Sequence, residues 1–294
     1  MFRSLFSRTS LTSICLVLFA VLAVTSVPGS RGVLAAAPAA DAAPQTANIY
    51  YTTSFSTGAP ELWAIKMTGR NISTTDIGPI NAGACASLAM SPSGTLFSMC
   101  GNLFGTQQLA TIDTKTGLGT LFGVPVPGLA IMAMTFGPDG TLYAVGDCNP
   151  NGPNFECGPG PGPDPNYNSL YTVDPATGVV TRVGSTGAPQ FFMDLTFDRD
   201  GNLFGVTTTL NPSYVPAILY RINPVTGAAT KIVNLVGSNS VMGLALAPDG
   251  KMYGTDFTGN SGLYRIDPKT GFETAVAAMP FGLSSGLELE NPLP

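Results

Sequence analysis

The stretch Leu263–Gly271 reads LYRIDPKTG, and close copies of it recur along the chain. The copies are LATIDTKTG from Leu109, LYTVDPATG from Leu170, LYRINPVTG from Leu219 and a shorter version, LWAIKMTG, from Leu62. The glycines that end them are 48, 61, 49 and 44 residues apart. A repeat of about 40–50 residues with several short strands is typical of one blade of a β-propeller. The repeat therefore predicts an all-β protein.

A second turn occurs in four of the repeats, between strands of alternating hydrophobicity. The four turns are Pro92-Ser93-Gly94, Pro138-Asp139-Gly140, Arg199-Asp200-Gly201 and Pro248-Asp249-Gly250. In such a turn Pro presets φ, Asp binds nearby backbone amides and Gly adopts a positive φ. The strand before the turn alternates large and small residues, as in Met134-Thr135-Phe136. This period of two predicts antiparallel sheets that pack face to face.

The first repeat lacks an innermost strand, and the end of the chain contains a matching segment. Ser285–Leu289 resembles Val241–Leu246 of the last repeat in size and alternation. We therefore predict a five-bladed β-propeller over residues 47–294, closed by pairing of the C-terminal strand with the N-terminal blade. A sixth blade would have to lie in the 61-residue step, but the Gly/Pro/Asn-rich segment 149–168 there has no strand pattern and indicates a loop.

The first 46 residues have a different composition. Arg3 and Arg8 precede the uncharged apolar run Ile14–Val24, and small residues follow, which is typical of a secretory signal peptide. The run is shorter than the roughly 20 residues of a membrane-spanning helix, and a retained N-terminal anchor is the alternative. We predict a signal peptide over 1–35, an Ala/Pro linker over 36–46, and a secreted protein, extracellular or periplasmic, with no membrane span after cleavage.

The charges exclude several classes of function. The chain has 13 Lys and Arg, 18 Asp and Glu, and no His. Because nucleic-acid binding needs clustered basic residues, no nucleic-acid partner is expected. The absence of His excludes Ser-His-Asp hydrolysis, Cys-His catalysis and His-ligated metals. We expect no cofactor and a monomer.

Four cysteines outside the leader form two local pairs. Cys85 and Cys100 flank the turn at Pro92-Ser93-Gly94 and lie opposite each other across a hairpin, whereas Cys148 and Cys157 close a short loop. An even number of cysteines in an exported chain favours disulfides. A metal site is the alternative, but zinc usually takes Cys-x2-Cys pairs or His. We predict the disulfides Cys85–Cys100 and Cys148–Cys157.

Two acidic residues occupy inner-strand positions, Asp194 in the fourth repeat and Glu288 in the closing strand. Glycosidases use pairs of carboxylates, so these residues form a candidate catalytic or metal site. The alternative is one hydrogen-bonded Asp and one Glu at a strand edge. Because the two lie in non-adjacent blades, we predict neither catalytic residues nor a metal. Asp198–Asn202 resembles half of a calcium loop but has no later acidic ligand and is interpreted as a turn.

The loops between the second and third strands of each blade leave one face of the propeller, which we call the loop face. Loops on a rigid scaffold often form binding sites, and aromatic rings suit glycan or peptide surfaces. The alternative is that each ring holds its own loop in place. We predict that a ligand contacts the aromatic residues of these loops, namely Phe104, Phe155, Tyr167, Tyr214 and Phe257.

The pattern PDGxLYG followed by LYRIDPxTG resembles exported bacterial β-propeller repeat proteins, and loosely the NHL and gluconolactonase-like propellers. The resemblance spans residues 47–291 and implies the propeller fold. Gluconolactonase-like enzymes hold a divalent metal through Glu, Asn and Asp on inner strands, and the inner strands here offer no such set. We therefore expect a secreted, non-enzymatic propeller that binds a protein or glycan through its loop face. The rival is a hydrolase or lactonase with a metal near Asp194 and Glu288.

Overall fold

The computed structural model describes residues 46–103, 105–148, 168–208, 216–237, 240–256, 262–282 and 284–291. These residues form five antiparallel sheets arranged as the blades of a β-propeller. The expected all-β, five-bladed fold is confirmed. Among the described residues no helix has the length and apolarity to cross a membrane.

The strands of each blade are given from the inner strand to the outer one. Blade 1 contains β22 (Ser284–Leu289), β1 (Asn48–Ser54), β2 (Glu61–Thr68) and β3 (Asn71–Pro79). Blade 2 contains β4 (Ala84–Cys85) and β5 (Ala89–Met90), then β6 (Leu96–Gly101), β7 (Thr106–Ile112), β8 (Gly119–Leu121) and β9 (Val126–Pro127). Blade 3 contains β10 (Leu129–Phe136), β11 (Leu142–Cys148), β12 (Ser169–Val173) and β13 (Val180–Ser185). Blade 4 contains β14 (Phe191–Phe197), β15 (Leu203–Thr208), β16 (Ile218–Ile222) and β17 (Ala229–Asn234). Blade 5 contains β18 (Val241–Leu246), β19 (Met252–Asp256), β20 (Gly262–Ile266) and β21 (Glu273–Ala278).

The ring closes through the C-terminal strand, as the sequence predicts. Strand β22 pairs antiparallel with β1, with Tyr50 opposite Leu289 and Ser54 opposite Ser284. At the contact between blades 5 and 1, Tyr50 and Leu287 belong to the same buried cluster as Tyr253. The closing strand therefore completes both a sheet and an interblade core, which removes an open sheet edge.

The turn between the third and fourth strands, which we call the Thr-Gly turn, is held by side chains of its own motif. In blade 3, Asp174 Oδ1 accepts the amide of Ala176 at 2.9 Å. Its Oδ2 accepts the hydroxyl of Thr177 at 2.6 Å. Asp side chains stabilise turns in this way because they mimic a backbone acceptor. This explains why Asp or Asn and Thr recur at fixed spacing.

The Thr-Gly turn also joins neighbouring blades at the rim. The amide of Val124 in blade 2 donates to the carbonyl of Thr177 at 2.9 Å. The amide of Val236 in blade 4 donates to the carbonyl of Gly271 in blade 5 at 2.8 Å. The glycine lies so close to the preceding blade that a Cβ on Gly271 would sit 2.0 Å from the carbonyl oxygen of Asn234. The motif is thus an interblade contact as well as a turn.

The inner strands depart from strict alternation. The pairing register shifts between Ile131 and Ala133, and between Phe192 and Asp194. The residue in between, Met132 or Met193, is therefore a β-bulge, which bends a strand and increases its twist. The bulge at Met193 immediately precedes Asp194, and the bulge at Met132 immediately precedes Ala133, the equivalent residue of blade 3.

Blade 2 has an interrupted inner strand. Its two pieces, β4 and β5, each pair with β6 over only two residues. A disulfide joins Cys85 of β4 to Cys100 of β6, directly opposite in register. This is the pair that the hairpin position predicts. The predicted Cys148–Cys157 disulfide lies outside the residues whose side chains the structure describes.

Candidate functional site

The five aromatic residues that the sequence assigns to ligand binding cannot be placed from the structure. They fall outside the described residues, and they are Phe104, Phe155, Tyr167, Tyr214 and Phe257. The ligand-binding assignment therefore stays a prediction. The structure describes the strand ends on the same face of the propeller and the inner strands around the axis.

The loop-face ends of the strands form a buried polar platform. The hydroxyl of Thr53 donates to the carbonyl of Ser285 at 2.7 Å, and the hydroxyl of Thr207 donates to Gln190 Oε1 at 2.8 Å. Gln107 of blade 2 pairs with Ile131 of blade 3 like a peptide group, because its Oε1 accepts the Ile131 amide at 2.7 Å and its Nε2 donates to the Ile131 carbonyl at 3.2 Å. These side chains are fully buried. Of these contacts, the one between Gln107 and Ile131 links two adjacent blades.

Asp194 lies on the propeller axis and connects three blades. Its Oδ2 accepts the amides of Leu244 in blade 5 at 2.6 Å and of Leu287 in blade 1 at 2.8 Å. Its Oδ1 accepts the amide of Leu195 at 3.0 Å. The side chain is almost completely buried, with 1% exposed. Both carboxylate oxygens are therefore engaged by backbone donors.

Two glycines lie next to the amide partners of Asp194 in the sequence, and both are in close contact with neighbouring strands. A Cβ on Gly243 of blade 5 would lie 2.2 Å from Thr255 Oγ1 and 2.8 Å from the Cβ of Leu287. A Cβ on Gly286 of blade 1 would lie 3.2 Å from the amide nitrogen of Leu88. Gly286 also has a φ of 67°, which favours glycine. A larger residue at either position would require its neighbours to move.

Burial raises the pKa of Asp194 well above its ordinary value, and the three backbone amides oppose that rise. Burial favours the neutral form because a charge loses its hydration, whereas amide donors favour the carboxylate. The stronger effect here is burial. The contacts of the Asp194 carboxylate hold blades 4, 5 and 1 together.

Glu288 lies nearer the opposite face, where the inner strands run into their turns; we call this the turn face. It belongs to β22, the edge strand of its sheet, and its side chain is buried, with 8% exposed. The amide of Met90 in blade 2 is hydrogen-bonded to its carboxylate. Burial raises the pKa of Glu288 well above its ordinary value, and the negative charge of Asp194 raises it further.

The channel mouth at the turn face is a small polar cavity. Its volume is about 30 Å³. Four blades contribute inner-strand residues to its lining, among them Thr135, Thr196, Ala245 and Glu288. The two threonines are not among the predicted site residues, because the prediction rested on acidic side chains alone. The signal was present, because Thr135, Thr196 and Glu288 occupy equivalent positions of aligned inner strands.

The half calcium loop at Asp198–Asn202 is a self-contained turn. Asp198 Oδ1 accepts the amides of Asp200 at 2.9 Å and Asn202 at 2.8 Å, and its Oδ2 accepts Asn202 Nδ2 at 2.7 Å. The interpretation as a turn agrees with these contacts. Within the described part of the chain, no three His, Cys, Asp or Glu side chains are grouped so that they could hold a metal ion.

The repeats match a known sequence family over residues 133–285, and its description is "Repeat of unknown function (DUF6923)". This match spans more than half of the chain. The chain belongs to the DUF6923 family. Its members share a repeat to which no function is attached. No curated protein matches the sequence.

Several solved structures resemble this DUF6923 protein at low identity. TolB from Acinetobacter baumannii is 16% identical, with 79% of this chain and 53% of TolB covered and a TM-score of 0.45. A gluconolactonase from Xanthomonas campestris is 13% identical, with 83% and 80% covered and a TM-score of 0.48. A protein of unknown function from Bacteroides caccae is 13% identical, with 83% and 99% covered and a TM-score of 0.47. The chain thus spans about half the length of that TolB. Sequence identities and TM-scores this low give no information about the activity of this protein.

Proposed function

We propose that this DUF6923 protein is an exported, non-enzymatic propeller that binds a protein or a glycan through its loop face. The observation that carries the proposal is the engagement of Asp194. A catalytic or metal-binding pair with Glu288 would need free carboxylate oxygens, and those of Asp194 accept three backbone amides. Asp194 therefore stabilises the closed ring, and we assign ligand binding to the loops.

The platform beneath the loop face supports the same proposal. Hydrogen bonds such as that between Gln107 and Ile131 hold neighbouring blades together under the loops. A rigid platform lowers the entropic cost of binding because only the loop side chains need to be ordered. Propellers with such platforms can present residues from several blades to one ligand, which suits an extended protein or glycan surface.

Export is proposed from the leader and the cysteines together. The signal-peptide layout of residues 1–35 predicts cleavage before the linker 36–46. The Cys85–Cys100 disulfide fits an oxidising compartment, because cytosolic thiols are usually kept reduced. Sequencing the N-terminus of protein recovered from the periplasm or medium tests this. Protein that retains residues 1–35 and stays in the cytosol would contradict it.

The binding proposal is tested with glycan and peptide arrays on the mature protein. Tyr214→Ala should weaken the signal at least about tenfold, because stacking on an aromatic ring contributes energy of that order. The matched control is Phe272→Ala, which also removes an aromatic side chain. Phe272 is 59% exposed and lies next to a Thr-Gly turn on the turn face, away from the proposed binding site. The control should bind like the wild type.

Two outcomes would contradict the binding proposal. Equal loss of signal in both variants would show that the ring at Tyr214 has no special role. Stoichiometric calcium or zinc by elemental analysis, lost in Asp194→Asn, would favour the metal-dependent hydrolase or lactonase instead. Unfolding midpoints of both variants should stay close to that of the wild type, so that weaker binding is not a folding defect.

A further inference from the structure

The two axial carboxylates differ in how well they are satisfied. Asp194 accepts three backbone amides at 2.6–3.0 Å. For Glu288 the described residues provide one donor, the amide of Met90. A buried carboxylate has four acceptor positions, and leaving them without partners is costly. Glu288 therefore has acceptor capacity that the described chain does not use.

The Glu288 side chain lines the cavity at the turn face, and two threonines with hydroxyl oxygens line it as well. Thr135 of blade 3 and Thr196 of blade 4 lie at the same level, and both are buried. On the remaining blades the equivalent positions hold the small residues Ala89 and Ala245, of which Ala245 also lines the cavity. The cavity of about 30 Å³ has room for roughly two water-sized species.

We propose that the turn-face mouth of the channel binds one monovalent cation, Na⁺ or K⁺, through the Glu288 carboxylate and the hydroxyl oxygens of Thr135 and Thr196. Hard cations take oxygen ligands of this kind, and a water can complete the shell. This site lies at the opposite end of the channel from the loop face. It is independent of the proposed ligand-binding function.

The charge balance favours a monovalent ion over a divalent one. Glu288 is the single ionisable group at its level of the channel, so one positive charge neutralises it. The carboxylate of Asp198 at the rim is occupied by its own turn. A divalent ion would leave a net positive charge in a largely buried place, which is unfavourable.

Thermal unfolding in matched salts tests the site. Solutions of NaCl, KCl and choline chloride are compared at equal ionic strength near pH 7, because choline is too large for the cavity. We expect the midpoint to be about 3 °C higher in at least one of the small-cation salts. Comparison of NaCl with KCl identifies the preferred ion. ²³Na relaxation, with and without added KCl, provides a direct reading of binding.

Three variants make the test specific. Glu288→Gln should abolish the salt-specific difference, and Thr196→Val, which removes a hydroxyl at nearly constant size, should reduce it. The matched control is Glu290→Gln, two residues further along, where the carboxylate accepts the Tyr51 hydroxyl at 2.8 Å; it should retain the full difference.

Each remaining outcome overturns the proposal. Equal midpoints of the wild type in all three salts would show that no small cation is bound. A difference that persists in Thr196→Val and Glu288→Gln would place the ion elsewhere. Stabilisation by millimolar CaCl₂ without any response to NaCl or KCl would indicate a divalent site. The wild-type salt comparison decides the matter even if Glu288→Gln fails to fold.

Discussion

Replacing Gly227 by alanine tests whether the Thr-Gly turn holds neighbouring blades together. Gly227 has a φ of 80°, and a Cβ there would lie 2.5 Å from the carbonyl oxygen of Gly184 and 2.8 Å from its carbonyl carbon. Both atoms belong to the backbone of blade 3, so the two blades must separate locally. The hydrogen bond from the amide of Ala229 to the carbonyl of Thr186, 2.9 Å long, crosses the same junction.

The structure provides a control that separates the clash from the backbone strain. Gly250 has a φ of 79°, and nothing lies within 4 Å of where its Cβ would be. A left-handed conformation costs an alanine about 1–2 kcal/mol, and both substitutions share that cost. Only Gly227→Ala also disturbs the interblade hydrogen bond, and an unsatisfied backbone group costs about 1–3 kcal/mol.

We therefore expect Gly250→Ala to lower the free energy of unfolding by about 1 kcal/mol and Gly227→Ala by about 3 kcal/mol. The difference of about 2 kcal/mol corresponds to roughly 4–8 °C in the unfolding midpoint for a domain of this size. Urea denaturation followed by tyrosine and tryptophan fluorescence measures both values. Equal losses for the two variants would refute the interblade role of the glycine and leave only its turn conformation.

Three further predictions concern ring closure, the cysteines and the axis. Deleting Phe281–Pro294 should abolish the cooperative unfolding transition or make the protein insoluble, because β1 loses its inner partner. Mass spectrometry of a non-reduced digest should show the Cys85–Cys100 and Cys148–Cys157 links, and replacing the first pair by alanine should cost about 3 kcal/mol for a loop of this length. Burial raises the pKa of Asp194 in the folded state above the 3.8 of an ordinary aspartate. The protonated side chain therefore contributes its full stability below pH 3.8, and this contribution is lost as the pH rises. The stability advantage of the wild type over Asp194→Asn should therefore shrink as the pH rises above about 4.

Each of these measurements can fail in a defined way. A truncated protein with an unchanged midpoint would contradict closure by the C-terminal strand. Free thiols at Cys85 and Cys100 in exported protein would contradict the disulfide. An advantage over Asp194→Asn that grows with pH would mean that the three amides outweigh burial and that the pKa of Asp194 is lowered.

The fold could be predicted because its repeat is a local physical requirement. Each Thr-Gly turn needs Asp or Asn, Thr and Gly at fixed spacing to satisfy its own hydrogen bonds, and this leaves a readable pattern. The closing strand was recognisable because Ser285–Leu289 repeats the alternation of the other inner strands. These signals arise from contacts within a blade, or between one blade and the next.

Other features depend on contacts that no local pattern records. The split of the inner strand of blade 2 was not predicted, because Ala84–Met90 alternates much like its counterparts. There Ser285 from the closing strand donates its hydroxyl to the carbonyl of Ala86 at 2.7 Å, a contact between residues 199 apart in sequence. The bulges at Met132 and Met193 were missed for a related reason, since one unpaired residue leaves the hydrophobic alternation almost unchanged.

The candidate site was predicted less completely than the fold. The sequence allowed a hydrogen-bonded Asp194, which the structure shows, and a Glu288 at a strand edge. Strand β22 is indeed the edge strand of its sheet, but the burial of the Glu288 side chain was not predicted. Burial of Glu288 results from five inner strands converging, and only the closed ring reveals it. The assignment of ligand binding to the aromatic loops stays a prediction.

The hydrogen bonds of Asp194 are completed only by the strand that closes the ring. Its partners Leu244 and Leu287 are 50 and 93 residues further along the chain. Blade 4 by itself provides only the amide of Leu195. Blade 5 adds the amide of Leu244, and β22 adds that of Leu287. The last bond of the buried carboxylate therefore forms in the same step that removes the open sheet edge, which couples satisfaction of the axis to closure of the propeller.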